Sequence, residues 1–435
     1  METLDRKRRP ATSWFSFRPL PPQTVTVLTN GVRLHEIDNG TMPVNRLSLV
    51  IGYGRNAAFR MGCADSAAIM SELLTEGTLT RSGSDIARDV DYEGAFLRAA
   101  ISDSYTTIDL VGLNSATPRL TPILTDIFHN ASFPEETLNA VRARLAQSYE
   151  VESTRPPVVA GRRLSAIMAG PGHPNSRKRS AETIMAVSRE QVIDQYRRMR
   201  DGATLDVYLA GKLDDALRAE VRNFCLSLRD AAPAAAEAFE PVFIPFEPEA
   251  EGRCDIVMAD SMQTAIAAGI PAIGRDHPDY INLRLTVMAL GGYFGSRLMT
   301  NIREEKGLTY GINASLMGNH DGAYVCIAAQ CPAGTASPVL TEIGREMTAL
   351  ATVDMDADEL TRLRQYAFSQ LVSALDSPFA IQDCYRNILI LGTPADYFRM
   401  QFDAISALDA ATIRRMAATY LRPELLREVT AGPMV

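Results

Sequence analysis

The sequence predicts an α+β fold: two tandem homologous domains, each a mainly antiparallel sheet with helices packed on one face. Two observations carry that prediction. The chain repeats itself, and each repeat runs strands first and blocks of helices afterwards. Pro122-Ile123-Leu124-Thr125-Asp126-Ile127 recurs as Pro338-Val339-Leu340-Thr341-Glu342-Ile343. Phe133-Pro134-Glu135-Glu136, which opens a long amphipathic helix, has its counterpart in Met355-Asp356-Ala357-Asp358. Val187-Ser188-Arg189-Glu190-Gln191-Val192 parallels Leu408-Asp409-Ala410-Ala411-Thr412-Ile413, with Ser or Asp where a helix N-cap belongs. The pairs keep their order at separations of about 220 residues. One short match is weak, but three in order are not chance.

The elements follow in sequence. Residues 1–23, with Trp14 and the prolines at 19, 21 and 22, read as an extended arm docked on a neighbour. A first domain, 24–228, opens on alternating strands at 25–36 and 46–52, followed by a helix at 65–74. Strands at 96–103 and 105–113 and then long helices complete it. Residues 229–252 are rich in Ala, Pro and Glu, have no helical apolar period past Ala238, and read as an interdomain linker. A second domain, 253–435, repeats the order: strands at 254–259 and 263–271, a helix at 280–305, strands at 310–317 and 322–330, then helices.

Composition narrows the function. At 435 residues each domain can bury a full core, and 46% hydrophobic with 22% charged residues is ordinary for a globular chain. A net charge of -8 gives no basic footprint for nucleic acid. No apolar run reaches the length of a membrane helix. The start lacks the apolar core of a signal peptide, and Glu2 and Asp5 interrupt the basic stretch an organellar presequence would need. The expected compartment is therefore the cytoplasm. The six cysteines (63, 225, 254, 326, 331, 384) are scattered without C-x-x-C spacing and read as free thiols. Zinc catalysis needs two imidazoles one helical turn apart plus a carboxylate. The five histidines (35, 129, 173, 277, 320) offer no such pair. No G-x-S-x-G elbow or Walker loop replaces them, and Cys63 is a weak candidate nucleophile with no histidine near it in sequence.

Residues 291–310, GGYFGSRLMTNIREEKGLTY, carry the most specific signal. They resemble the second-domain signature of the insulinase/pitrilysin (inverzincin) metallopeptidases, "GG-x-F-x-SRL…IRE-x-x-GL-x-Y". That family carries zinc on an inverted H-x-x-E-H helix in its first domain. The matching helix here reads Ala68-Ile69-Met70-Ser71-Glu72, so both histidines are missing and the base is serine. The Glu76-Gly77-Thr78 that follows fits the family's trailing "x-G-T", and Gly172-His173-Pro174 is a weaker match. The third zinc ligand would fall near Glu150, which cannot hold catalytic zinc alone.

The resemblance implies a tandem two-domain architecture over residues 24–433. It also implies a second-domain arginine and tyrosine that reach toward a zinc site, at positions matching Arg303 and Tyr310. Gly291, Gly292, Phe294 and Ser296 are the substrate-contacting positions it suggests, although Ser296 also reads as the small residue that restarts a helix after a glycine bend. Such a pair without zinc fits a two-subunit metallopeptidase similar in layout to the mitochondrial processing peptidase. This chain would then hold no metal or other cofactor and grip peptide for an H-x-x-E-H partner that supplies the zinc. The long glycine-rich loop of the mitochondrial non-catalytic subunit is absent, which favours general peptide degradation over presequence processing. The competing expectation is an inactive homodimeric scaffold or peptide-binding protein, like the core subunits of the respiratory bc complex. The strand at 96–103 is the one the family would use to align peptide.

Overall fold

The computed structural model describes residues 16–232, 241–250, 252–319 and 321–433. Glu2, Asp5 and Trp14, residues 233–240 and 251 of the linker, and His320 lie outside them.

Strands β1 (Thr24–Val27), β2 (Arg33–Asp38), β3 (Val44–Ile51), β4 (Phe96–Ile101), β5 (Thr106–Leu113) and β6 (Leu205–Gly211) form one sheet, ordered β1-β2-β6-β3-β5-β4. Strands β7 (Arg253–Val257), β8 (Gln263–Ala272), β9 (Gly311–Gly318), β10 (Ala323–Pro332) and β11 (Arg427–Gly432) form the second, ordered β7-β11-β8-β10-β9. With β1 removed, the two orders are the same. Each sheet has one parallel pair, β2 with β6 and β7 with β11, and is otherwise antiparallel. The repeat seen in the sequence is thus a repeat of topology. Its capping residues also act as read: Ser188 accepts the Gln191 N–H and Asp409 the Thr412 N–H at their helix starts.

Two expected elements are broken in two. Residues 25–36 form not one strand but the β1–β2 pair, turned at Asn30-Gly31, a dipeptide suited to a hairpin. The Asn30 amide fixes that turn by donating to the Cys225 and Arg229 carbonyls at 2.9 and 3.0 Å. The helix expected at 280–305 stops at Gly291, restarts at Arg297, and is π-wound over Met299–Glu305. The break follows from packing. A Cβ on Gly291 would lie 2.6 Å from the Ala314 nitrogen of β9, so only glycine lets the helix end this close to the sheet.

Each sheet buries one face under helices of its own half. In the first, Leu47, Leu49, Val207 and Leu209 meet Ile69, Leu124 and Phe128. In the second, Ile266, Ile270 and Ile327 meet Leu283, Ile343 and Phe368. The opposite faces exchange helices. Pro156–Ala169, from the first half, lays Leu164 and Met168 on Ala265, Ala267, Val429 and Ala431 of the second sheet. Pro378–Leu391, from the second half, sets Ile381 among Ile37, Val50, Tyr208 and Ala210 of the first. A polar clamp anchors the second exchange: Arg46 donates to Gln382 (2.8 Å), Asp383 (2.8 Å) and the Phe379 carbonyl (2.7 Å). Residues 16–23 lie on the chain's own second half, with Phe17 against Phe402 (ring centroids 5.1 Å apart) and Tyr385 donating to the Pro21 carbonyl. For the described part of the arm, the neighbour is its own chain.

Candidate functional site

In the second half, Leu298 and Ile302 are fully buried and fix the face of the π-wound stretch, which leaves Arg303 on its open side. Gly307, at φ +62°, turns the chain out of it, and the Leu308 N–H donates to the Ile302 carbonyl at 2.9 Å. Buried Thr309 donates to the Gln330 carbonyl at 2.6 Å and so pins the segment that presents Tyr310 just before β9. Arg303 Cζ lies 4.6 Å from the centroid of the Phe294 ring and 5.7 Å from that of Tyr310. Both rings are open to solvent, Tyr310 at 89% and Phe294 at 63%.

Two nearby carboxylates are engaged elsewhere. Glu359 takes Arg297 in a two-point pair at 2.8 and 3.1 Å, and Glu342 takes Lys306 and Arg345. Arg303 forms no ion pair with a described carboxylate, so a guanidinium held between aromatic faces keeps its donors available.

The other residues read as substrate-contacting fall differently. Gly291 is buried against Ala314, and Gly292 is half-buried. Ser296 is buried, its carbonyl accepting the Thr300 N–H at 3.0 Å to restart the helix. Packing accounts for Gly291 and Ser296; Phe294 alone of the four stands open beside Arg303. The sequence reading missed Arg297, whose partner lies 62 residues away.

In the first half, the degenerate helix is Ala64–Leu73. Ala68 is half-buried and Ser71 buried, while exposed Glu72 pairs with Arg144 at 2.9 Å. Asp65, one turn before Ala68, is buried and receives Arg177 (2.6 and 2.8 Å) and Arg179 (2.9 Å). Burial pushes the Asp65 pKa up, but the two guanidinium groups outweigh it and hold the carboxyl below its usual range. Glu150 is exposed. Among the described residues, no three His, Cys, Asp or Glu side chains converge as metal ligands. A donor set of Ala, Ser and an Arg-paired Glu does not fit zinc.

Cys63 accepts the Gln195 amide at 3.3 Å and donates to the Ala58 carbonyl at 3.5 Å. His173 is buried and faces Asp321 of the β9–β10 turn at 3.3 Å. That carboxylate also accepts the Asn56 amide and the Ile244 N–H, so it ties both halves to the linker. Burial pushes the Asp321 pKa up; the His173, Ile244 and Asn56 hydrogen bonds more than offset this and leave it lowered. Strand β4 forms the outer edge of its sheet, as strand addition requires.

The two active-site halves are not brought together. A cavity opens beside Ala68 and Asp65, but neither Arg303 nor Tyr310 lines it. The reason is topological: Tyr310 leads into β9, the outermost strand of the second sheet.

Residues 186–366 match the family described as the peptidase M16 inactive domain. An uncharacterized zinc protease of Streptomyces coelicolor is 23% identical over 67% of this chain and 64% of its own length. One from Mycobacterium tuberculosis is 27% identical over 62% and 61%. The chain thus aligns to a little under two thirds of these bacterial relatives. The mouse mitochondrial-processing peptidase subunit beta is 22% identical over 95% of this chain and 85% of that protein. Among solved structures, a peptidase M16 inactive domain from Pseudomonas fluorescens superposes with a TM-score of 0.83 at 20% identity, covering 95% of this chain and 98% of that one. A Helicobacter pylori protease gives 0.83 at 15% identity over 95% and 100%. The chain is thus similar to peptidase M16 proteins, through the inactive-domain match over residues 186–366 and a fold shared along nearly its whole length.

Proposed function

We propose that this chain is the zinc-free subunit of a two-chain metallopeptidase, with Arg303 and Tyr310 gripping peptide at the zinc site of an H-x-x-E-H partner. The observation that carries this reading is the guanidinium of Arg303, held between the Phe294 and Tyr310 rings at the surface with no described carboxylate to neutralise it. Fixed donors of this kind stabilise an oxyanion developing on a peptide carbonyl, each by roughly 3–4 kcal/mol. Phe294 adds an apolar contact for the substrate. Residues 24–228 and 253–435 are the two domains in this reading, joined by 229–252, and the assembly would work in the cytoplasm. Among the described residues, no helix is long and apolar enough to cross a membrane.

The test is turnover of a fluorogenic peptide by the chain assembled with an H-x-x-E-H relative. Arg303→Ala and Tyr310→Phe should lower kcat while leaving assembly intact. Unchanged turnover in both variants would sink the proposal. Recovery of the chain only as a metal-free, inactive self-dimer would favour the scaffold or peptide-binding alternative.

A further inference from the structure

Beside the helix Ala64–Leu73 lies a cavity of about 720 Å³. Its lining carries six cations: Arg55, Arg162, Arg163, Arg177, Lys178 and Arg179. Against them the lining offers two carboxylates, Asp65 and Asp103, and Glu152 and Glu249 outside it take Arg162 (2.5 Å) and Arg163 (3.4 Å), which leaves a local excess of cations in a protein whose net charge is -8.

We infer that this cavity binds an acidic peptide segment, its carboxylates held by guanidinium and ammonium groups where relatives hold zinc. Most of the cations are pre-positioned. Arg177 and Arg179 share the single buried Asp65, and Arg55 leans on Asp103 at 2.7 Å. The Tyr149 ring lies under both Arg162 (4.5 Å) and Arg179 (5.6 Å). Lys178 is exposed and pairs with no described carboxylate. Guanidinium groups fixed in this way pair with an incoming carboxylate at two points and lose little side-chain entropy in doing so.

The spread of the cations selects peptide over a small anion. They come from the Arg55–Arg60 helix, the Pro156–Ala169 helix and the 177–179 loop, and so surround a volume rather than a point. Val159 and Ile256 add an apolar wall for side-chain stems. Asp103, in the lining, lies just past the end of edge strand β4, so an extended segment passing it meets unpaired main-chain groups. The same charges repel a divalent metal.

This inference needs no partner chain and stands or falls apart from the Arg303/Tyr310 proposal. Isothermal titration of the full chain with an acetylated, amidated hexaglutamate peptide tests it, with hexalysine and a Gly-Ser hexamer as comparators. Hexaglutamate should bind alone of the three, and more weakly as salt rises. Lys178→Glu and Arg55→Glu, which leave the Asp65 cluster intact, should each weaken it about tenfold. Equal binding of the neutral hexamer, no binding of hexaglutamate, or unchanged affinity in both variants would overturn the inference. Displacement by inorganic phosphate at equal molarity would overturn the peptide assignment in favour of a small-anion site.

Discussion

The two halves of this molecule share one topology and treat their charges in opposite ways. Along the degenerate helix of the first half the acidic side chains are paired, Asp65 under two arginines and Glu72 against Arg144, while the cavity beside it keeps an excess of cations. On the π-wound stretch of the second half, Arg303 stands between two exposed rings with no described carboxylate. A charge that has found its counter-charge holds the fold. One supported only by rings is open to a ligand, since an exposed cation–π contact contributes only about 0.5–1 kcal/mol. Under the proposed function, the paired Asp65 serves the fold and the carboxylate-free Arg303 serves recognition.

Four measurements would break or sharpen this contrast. The largest stability effect should come from Asp65→Ala, which leaves Arg177 and Arg179 without their shared partner. Breaking a buried pair costs roughly 3–5 kcal/mol, and the partial exposure of both guanidinium groups points to the lower end. Urea unfolding would read it, and a loss under 1 kcal/mol would deny that the cluster holds the first half together. Ile381→Ala should cost about 2–4 kcal/mol by leaving a cavity under the exchanged helix. If instead only second-half probes lose stability, the exchange does not couple the halves.

Arg303→Ala should do the reverse of Asp65→Ala. Stability should stay within about 0.5 kcal/mol, while turnover of the assembled enzyme falls by about 10²-fold. The smallest effect belongs to Glu72→Ala, within about 0.5 kcal/mol, because its pair with Arg144 is solvent-exposed.

Acid provides a separate probe of the structural charges. Asp65 and Asp321 both have lowered pKa values in the folded state. Their contribution is therefore complete above the unfolded carboxylate pKa of about 4 and is lost as pH falls through the lower folded values. Unfolding free energy measured against pH should decline below about pH 4, and Asp65→Asn with Asp321→Asn should flatten that decline. An unflattened curve would assign the acid sensitivity to other carboxylates.

Much of the fold could be read from local pattern. Alternation marked β3, and Ser188 and Asp409 marked helix starts, because caps and pleats are local chemistry. The breaks were harder. Asn30-Gly31 carried a hairpin signal that the longer alternating run obscured. The end of the helix at Gly291 was set by the approach of Ala314, which no local pattern reports. Of the candidate site, the spacing of Arg303 and Tyr310 was legible, but the burial of Gly291 and Ser296 was not.

By itself, then, the sequence determined the internal repeat, the strand and helix order, the missing histidines and the arginine–tyrosine spacing. Each of these is a matter of residue type and short-range period. The exchanged helices, the pairing of Asp65 with Arg177 across 112 residues and the gathering of six cations into one cavity were decided by the tertiary structure alone. They depend on which faces of distant elements meet, and a helix such as Pro156–Ala169 reads as equally apolar whichever sheet it covers.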